Sequence, residues 1–61
     1  MKQFSFSLDH NKVLVIFNSE GQSIAHVSNV EEYEPLFFVV TDTLFNMGLI
    51  GITEDIDLTR I

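Results

Sequence analysis

Polar and apolar residues alternate strictly at the start of the chain. Over residues 3–8, Phe4, Phe6 and Leu8 fall on one side of an extended segment, and polar residues fall on the other. This period of two predicts a half-buried strand. Turn-forming residues follow, and the β-branched apolar run at residues 13–17 predicts a strand that returns beside the first.

The second predicted strand is apolar on both faces. Val13, Val15 and Phe17 point to one side, whereas Leu14 and Ile16 point to the other. A strand of this kind needs cover on both sides, so alternation by itself does not say which face joins the core.

The remaining β-structure is predicted from weaker signals. A turn ending at Gly21, which suits a positive φ, leads into a third strand over residues 22–28. These three strands form an antiparallel meander. Residues 49–53 predict a short fourth strand, although Gly51 weakens it, and residues 54–61 are expected to be a partly ordered acidic tail.

Between these segments the apolar period lengthens to that of a helix. Ser28 and Glu31 match a capping box, and Gly48 suits a left-handed cap at the end of the helix. Pro35 would bend such a helix, so the alternative is a helix that starts at Pro35; a strand over residues 36–41 is a rival interpretation. The predicted apolar stripe consists of Val30, Tyr33, Phe37, Val40, Leu44 and Met47.

The predicted fold class is therefore α+β: a three-stranded antiparallel meander, with a possible short fourth strand, packed by one helix from the C-terminal half. The chain has 61 residues and predicts a single small domain over residues 1–61. A core of this size supplies roughly 3 to 9 kcal/mol of stability.

Composition excludes several classes of function. The chain has no cysteine, so disulfides, thiolate metal sites and cysteine nucleophiles are excluded. Its formal net charge of −6, with three basic residues, argues against direct nucleic-acid binding. No segment approaches the 18 or so apolar residues of a membrane span, which predicts a cytoplasmic protein without a membrane partner.

The sequence offers no set of residues for catalysis. His10 lies in a turn and His26 in a strand, and neither has a nucleophile or a carboxylate pair at a suitable spacing. Two histidines without cysteine also make a poor zinc site. We therefore expect no enzyme activity, no cofactor and no bound metal.

The acidic residues are clustered and have few compensating lysines. On a continuous helix, Glu31 and Asp42 would project from nearly the same side, roughly 16 Å apart, a distance that spans two or three phosphates of a nucleic-acid strand. The alternative is that these acids only complement the helix dipole and confer solubility. The candidate partner-binding residues are Glu31, Glu32, Glu34, Asp42, Glu54, Asp55 and Asp57.

The chain also has more apolar residues than one helix covers. On the predicted helix, Phe38 and Phe45 lie about 100° from the main apolar stripe, and Val39 lies nearly opposite to that stripe. Either the C-terminal apolar residues fold back over them, or a second copy of the chain covers them in a homodimer. The candidate residues for this apolar interface are Leu14, Ile16, Phe38, Val39 and Phe45.

A short acidic chain without catalytic residues is similar in type to small phage or mobile-element proteins that block a host protein stoichiometrically. The function expected from the residues is a small acidic protein-binding module. In its specific form the module is a DNA mimic, an inhibitor that occupies the basic site of a nucleic-acid-binding protein. The alternative is a structural or adaptor dimerisation domain that binds its partner through apolar surface.

Overall fold

The computed structural model describes residues 2–31, 35–51 and 55–60 of the chain. Its elements, in chain order, are strands β1 (Lys2–Leu8), β2 (Leu14–Phe17) and β3 (Ser23–Val27), helix α1 (Leu36–Asn46) and strand β4 (Ile56–Arg60). The predicted α+β fold, with an antiparallel meander and one helix, is confirmed.

The four strands form one mixed sheet in the order β3-β2-β1-β4. The meander pairs β1 with β2 and β2 with β3 in antiparallel fashion, and β4 lies parallel to β1 on its other side. A parallel neighbour requires a crossover connection, which here contains α1. Along the chain, α1 lies between β3 and β4, which are the two edge strands of the sheet. The helix covers one face of the sheet.

The core lies between this helix and one face of the sheet. Antiparallel register places Phe6 opposite Ile16 and Leu8 opposite Leu14, so these side chains share a face. The predicted strand face of Phe4 and Phe6 is confirmed as buried. Among the described residues, the buried apolar side chains are Phe4, Phe6, Leu14, Ile16, Val30, Val40 and Leu44.

This register corrects one prediction about β2. Leu14 and Ile16, assigned above to an intermolecular interface, are completely buried in the core of one chain. Val13, Val15 and Phe17 are half-buried on the opposite side, which α1 does not cover. We call this uncovered side of the sheet the open face.

Both hairpin loops use the same local design. In the first, the Asp9 carboxylate accepts hydrogen bonds from the backbone N–H groups of Asn11 (2.9 Å) and Val13 (3.1 Å). In the second, the Asn18 side-chain oxygen accepts from the N–H groups of Glu20 and Gln22, each at 3.0 Å. Each side chain thus satisfies loop amides that no strand partner reaches.

Each loop also has a left-handed residue before the returning strand. Lys12 has a φ of 62° and Gly21 a φ of 81°. A residue of this kind after a type I turn is typical of a three-residue hairpin loop, and only glycine adopts it without steric cost. The expected positive φ at Gly21 is confirmed.

We expect Gly21→Ala to lower the free energy of unfolding by about 1–2 kcal/mol. A Cβ at this position would meet no atom within 4 Å, so the cost is conformational rather than steric crowding by neighbours. Chemical denaturation measures the change. Gly21→Asn should cost less because asparagine tolerates this conformation, and Ser19→Ala in the same loop should cost almost nothing. Equal losses for Ala and Asn would contradict the conformational explanation.

The helix begins at Leu36, with Pro35 as the N-cap residue, so the alternative that placed its start at the proline is correct. The predicted capping box from Ser28 to Glu31 is wrong, since those residues are not helical and Asn29 has a φ of 62°. The rival strand over residues 36–41 is wrong as well. Proline is tolerated at this end of a helix because the first N–H groups there have no acceptor within the helix.

The segment after β3 is anchored instead by Val30. Its side chain is buried in the core, and its N–H donates a 3.0 Å hydrogen bond to the carbonyl of Lys12. This bond joins the end of β3 to the first hairpin loop.

The C-terminal end of the helix has the left-handed cap that was predicted at Gly48, which has a φ of 74°. The N–H of Gly48 donates to the Phe45 carbonyl, and the N–H of Leu49 donates to the Leu44 carbonyl, each at 3.0 Å. This pair of bonds is the Schellman motif, which satisfies carbonyls that the helix leaves without partners.

Two predictions about the C-terminal part are corrected. Residues 49–51 are not a strand, and residues 52 and 53 of that predicted strand lie outside the described residues. Residues 56–60, predicted as part of an acidic tail, form β4. The reason is that Ile56 and Leu58 alternate with polar residues, and both pack against the core while β4 pairs with β1.

Candidate functional site

The outward side of α1 is the most apolar exposed surface of the described residues. Val40 and Leu44 point into the core, and at 100° per residue Phe38 and Phe45 project from the opposite side of the helix. Phe38 is 67% exposed and Phe45 is 45% exposed. Solvent-exposed aromatic side chains grouped in this way are typical of a protein-binding surface.

A third aromatic residue extends this surface. Phe37 is 56% exposed, and its ring meets that of Phe38 edge to face, with 5.7 Å between the ring centroids. We call Phe37, Phe38 and Phe45 together the aromatic face. The apolar stripe predicted from the sequence placed Phe37 and Met47 in the core, but both are largely exposed. Because the helix begins only at Leu36, Leu36 rather than Phe37 packs at its first turn.

Two shallow grooves flank Phe38. The larger has a volume of about 570 Å³ and extends past Pro35 and Val39 towards Val27 on β3. The smaller has a volume of about 320 Å³ and extends past Phe45 towards Ile56 at the start of β4. Phe38 is part of the lining of both grooves and so forms a ridge between them.

One carboxylate lies within this apolar surface. Asp42 is exposed and lines both grooves, one helical turn after Phe38 and three residues before Phe45. No basic group of the residues that the structure describes pairs with it. A cationic group placed in either groove would therefore meet a carboxylate that no described basic group occupies.

The two threonines near the grooves direct their hydroxyl groups into the helix. Thr41 donates to the carbonyls of Phe37 (2.9 Å) and Phe38 (3.2 Å), and Thr43 donates to that of Val39 (2.8 Å). A threonine within a helix commonly satisfies its hydroxyl in this way. Both hydroxyl groups are thus used within the helix. The carboxylate of Asp42 is the main polar side-chain group that the described lining of these grooves offers to a partner.

The acidic residues predicted as a phosphate-like row are not brought together as expected. Glu31 lies before the helix rather than on it, and its carboxylate is 3.9 Å from the ammonium group of Lys12. The predicted spacing of Glu31 and Asp42 along one helix is therefore wrong. Asp55 and Asp57 are exposed just before β4 and on it. Glu32, Glu34 and Glu54 lie outside the described residues.

The apolar candidates divide into two groups. Leu14 and Ile16 are core residues, so their assignment to an interface is wrong. Phe38 and Phe45 are exposed, and Val39 is partly buried against the core while it lines the larger groove. Sequence reasoning missed Phe37 as an exposed residue, although Pro35 two positions earlier was the signal that the helix starts there.

The structure places both histidines of the chain at the surface. His10 and His26 are both exposed, at the first hairpin loop and on β3. Among the residues that the structure describes, no group of three or more His, Asp or Glu side chains is placed to hold a metal ion. The one helix in the described ranges is too short to cross a membrane.

Comparison of the chain with protein-family models, with curated proteins and with solved structures finds no match. What the aromatic face can bind must therefore follow from its own residues.

Proposed function

We propose that this protein is a small acidic protein-binding module that holds a basic, partly apolar segment of another protein on the aromatic face of α1. The observation that carries the proposal is the position of Phe38, which is 67% exposed between two grooves that both contain Asp42. This arrangement supports binding through apolar contacts more than it supports binding through carboxylates alone.

The apolar part of the interaction comes from Phe38 and Phe45. They lie seven residues apart on the helix, a rise of about 10.5 Å, so one partner segment can contact both rings. Covering a phenylalanine side chain completely gives roughly 1.5–3 kcal/mol. Since both rings are already held by a folded helix, little of that gain is lost in ordering them.

Charge selects the kind of segment. Asp42 lies between the two rings, and the whole chain carries a net charge of −6. A lysine or arginine beside the apolar residues of the partner would pair with Asp42 and be attracted from a distance. A second copy of this acidic chain is a poor occupant, because a two-fold contact centred on the helix would bring the two Asp42 carboxylates together.

DNA mimicry remains a narrower prediction within the same class of partner. Of the acids proposed for it, Asp42, Asp55 and Asp57 are exposed, whereas Glu31 faces Lys12. A nucleic-acid-binding partner would also present basic residues. The two forms differ in the balance of forces, because mimicry depends on charge and should weaken steeply with salt.

Selection from a displayed library of random peptides tests the proposal. We expect the wild-type protein to enrich sequences in which Lys or Arg lies next to Leu, Phe or Trp. Phe45→Ser should weaken binding of a selected peptide by about tenfold or more, since it removes one of two apolar contacts. Asp42→Asn should weaken it less, by about two- to fivefold, and only at low salt. Isothermal titration calorimetry at two salt concentrations measures both changes.

Met47→Ser is the matched control. Met47 is 45% exposed, as Phe45 is, but it lies at the end of the helix and outside the lining of both grooves. It should leave peptide affinity unchanged. Equal losses for the two variants, or peptides enriched without basic residues, would contradict the proposal. A dependence on Asp55 and Asp57 with no effect of Phe45→Ser would instead support mimicry.

A further inference from the structure

No described part of the chain covers the apolar centre of the open face. Val15 and Phe17 of β2 occupy this centre, half-buried by their neighbours in the sheet. A sheet with one helix is covered on one side only, and its uncovered side is usually polar throughout. Besides Val13, which precedes β2, the strand registers place on the open face Gln3, Ser5, Ser7, Val15, Phe17, Ser23, His26, Asp57 and Thr59.

Charge distinguishes the open face from the rest of the molecule. Among the described residues that share it, Asp57 on the edge strand β4 is the one carboxylate. The other described acids are elsewhere: Asp9 and Glu20 are in the hairpin loops, Glu31 follows β3, Asp42 is on α1, and Asp55 precedes β4. As far as the described residues show, a chain with nine acidic and three basic residues thus has one broad face that is nearly neutral.

We propose that a second copy of this chain covers the open face and forms a two-fold dimer through Val15 and Phe17. Two copies of a molecule with a charge of −6 repel each other, and contact through their least charged faces keeps most carboxylates apart. The same face supplies apolar side chains at its centre and small hydroxyl groups around them. Such a patch is complementary to itself, as a two-fold interface requires.

The size of the molecule sets the strength of this contact. The principal extents are 30 × 22 × 17 Å, so even the broadest side offers slightly less than the about 800 Å² per partner of a standard interface. Two sheets in face-to-face contact pack about 10 Å apart with their strands nearly aligned. A contact of this size lies at the lower end of the standard range, and we expect a Kd on the order of micromolar.

This inference is independent of the proposed function. The aromatic face lies on the outward side of α1, and the open face lies on the side of the sheet that α1 does not cover. Dimerisation therefore leaves the aromatic face free for another protein. A variant on one side should not change binding on the other.

Sedimentation velocity over a concentration series tests the dimer. The wild-type protein should pass from its monomer mass of 7.0 kDa towards twice that value as its concentration rises through the micromolar range. Ser7→Glu, next to Val15 in register, places a new charge at the centre of the contact in both copies and should raise Kd about tenfold or more. Asn11→Asp adds the same charge at the tip of the first hairpin loop and should leave Kd nearly unchanged.

A second measurement identifies the face directly and does not depend on any variant. In a mixture of isotope-labelled and unlabelled protein, intermolecular NOEs should connect Val15 methyl groups of one copy with the Phe17 ring of the other. A monomer at every concentration would overturn the proposal. Intermolecular NOEs at Phe38 and Phe45 would also overturn it, because they would place the contact on α1.

Discussion

A chain that ends after Asp55 is expected to be unfolded. The truncation removes β4, and with it Ile56 and Leu58, which pack against the core beside Phe4. It also removes the parallel hydrogen-bonded neighbour of β1. The total stability of a chain of this length is roughly 3 to 9 kcal/mol, and each apolar side chain lost removes about 1 to 3 kcal/mol. Far-UV circular dichroism and thermal unfolding should show loss of the cooperative transition.

The control for this truncation changes the same strand on its other side. Asp57 and Thr59 are exposed on the open face, so the double variant Asp57→Ser and Thr59→Ser should remain folded with nearly wild-type stability. If the truncated chain instead kept a cooperative transition near that of the wild type, residues 56–60 would belong to a dispensable tail, as the sequence first predicted for residues 54–61.

Ile16→Ala is expected to lower the free energy of unfolding by about 2–5 kcal/mol, and Val15→Ala by less than about 1 kcal/mol. The two residues are neighbours on β2 and both are β-branched. Ile16 is completely buried under α1, whereas Val15 is half-buried on the open face. Urea denaturation of both variants measures the difference, which reports directly which face of β2 joins the core.

This comparison should be made at a protein concentration below the expected dimer Kd, because dimerisation would add stability that depends on Val15. Leu14→Ala is a third variant on the buried side and should resemble Ile16→Ala. A larger loss for Val15→Ala than for Ile16→Ala would show that the opposite face of β2 is inside.

The two proposals together describe a molecule whose sides have separate roles. A dimer formed through the open faces would carry one aromatic face on each outer side, at the two ends of the assembly. A partner with two basic segments could then bind both, and linked binding of this kind raises the apparent affinity without new contacts.

Local patterns were enough to predict most elements of the fold. The alternation around Phe4 and Phe6 identified β1 and its buried face, and the turn residues before Gly21 and at Gly48 were read correctly. The helix position followed once Pro35 was taken as its start. These signals depend on neighbours within a few residues, where backbone preference and side-chain period dominate.

The buried face of β2 shows where local pattern stopped being sufficient. A loop over all four turn-forming residues 9–12 would pair Leu8 with Val13 and turn Val15 and Phe17 inward. Instead, the Asp9 N–H donates to the Val13 carbonyl, which shortens the loop by one residue and pairs Leu8 with Leu14. Because side chains alternate along a strand, this shift of one residue exchanges the two faces completely.

The candidate site was predicted only in part. Phe38 and Phe45 were identified from the sequence as an apolar flank, and Asp42 as an outward acid, because helical period alone determines their directions. The grooves beside Phe38 were not predictable, since their walls include residues of β3 and the start of β4. The expected row of Glu31 with Asp42 failed because Glu31 lies before the proline that starts the helix.

By itself the sequence determined the meander, the helix with its glycine end, the absence of cysteine chemistry and the acidic charge, since each depends on residue type or on contacts within a few positions. Only the tertiary structure decided which side of β2 is buried and that the acidic C-terminal segment supplies β4. These depend on pairings between residues far apart in the chain, where burial of Ile56 and Leu58 outweighs the polar composition around them.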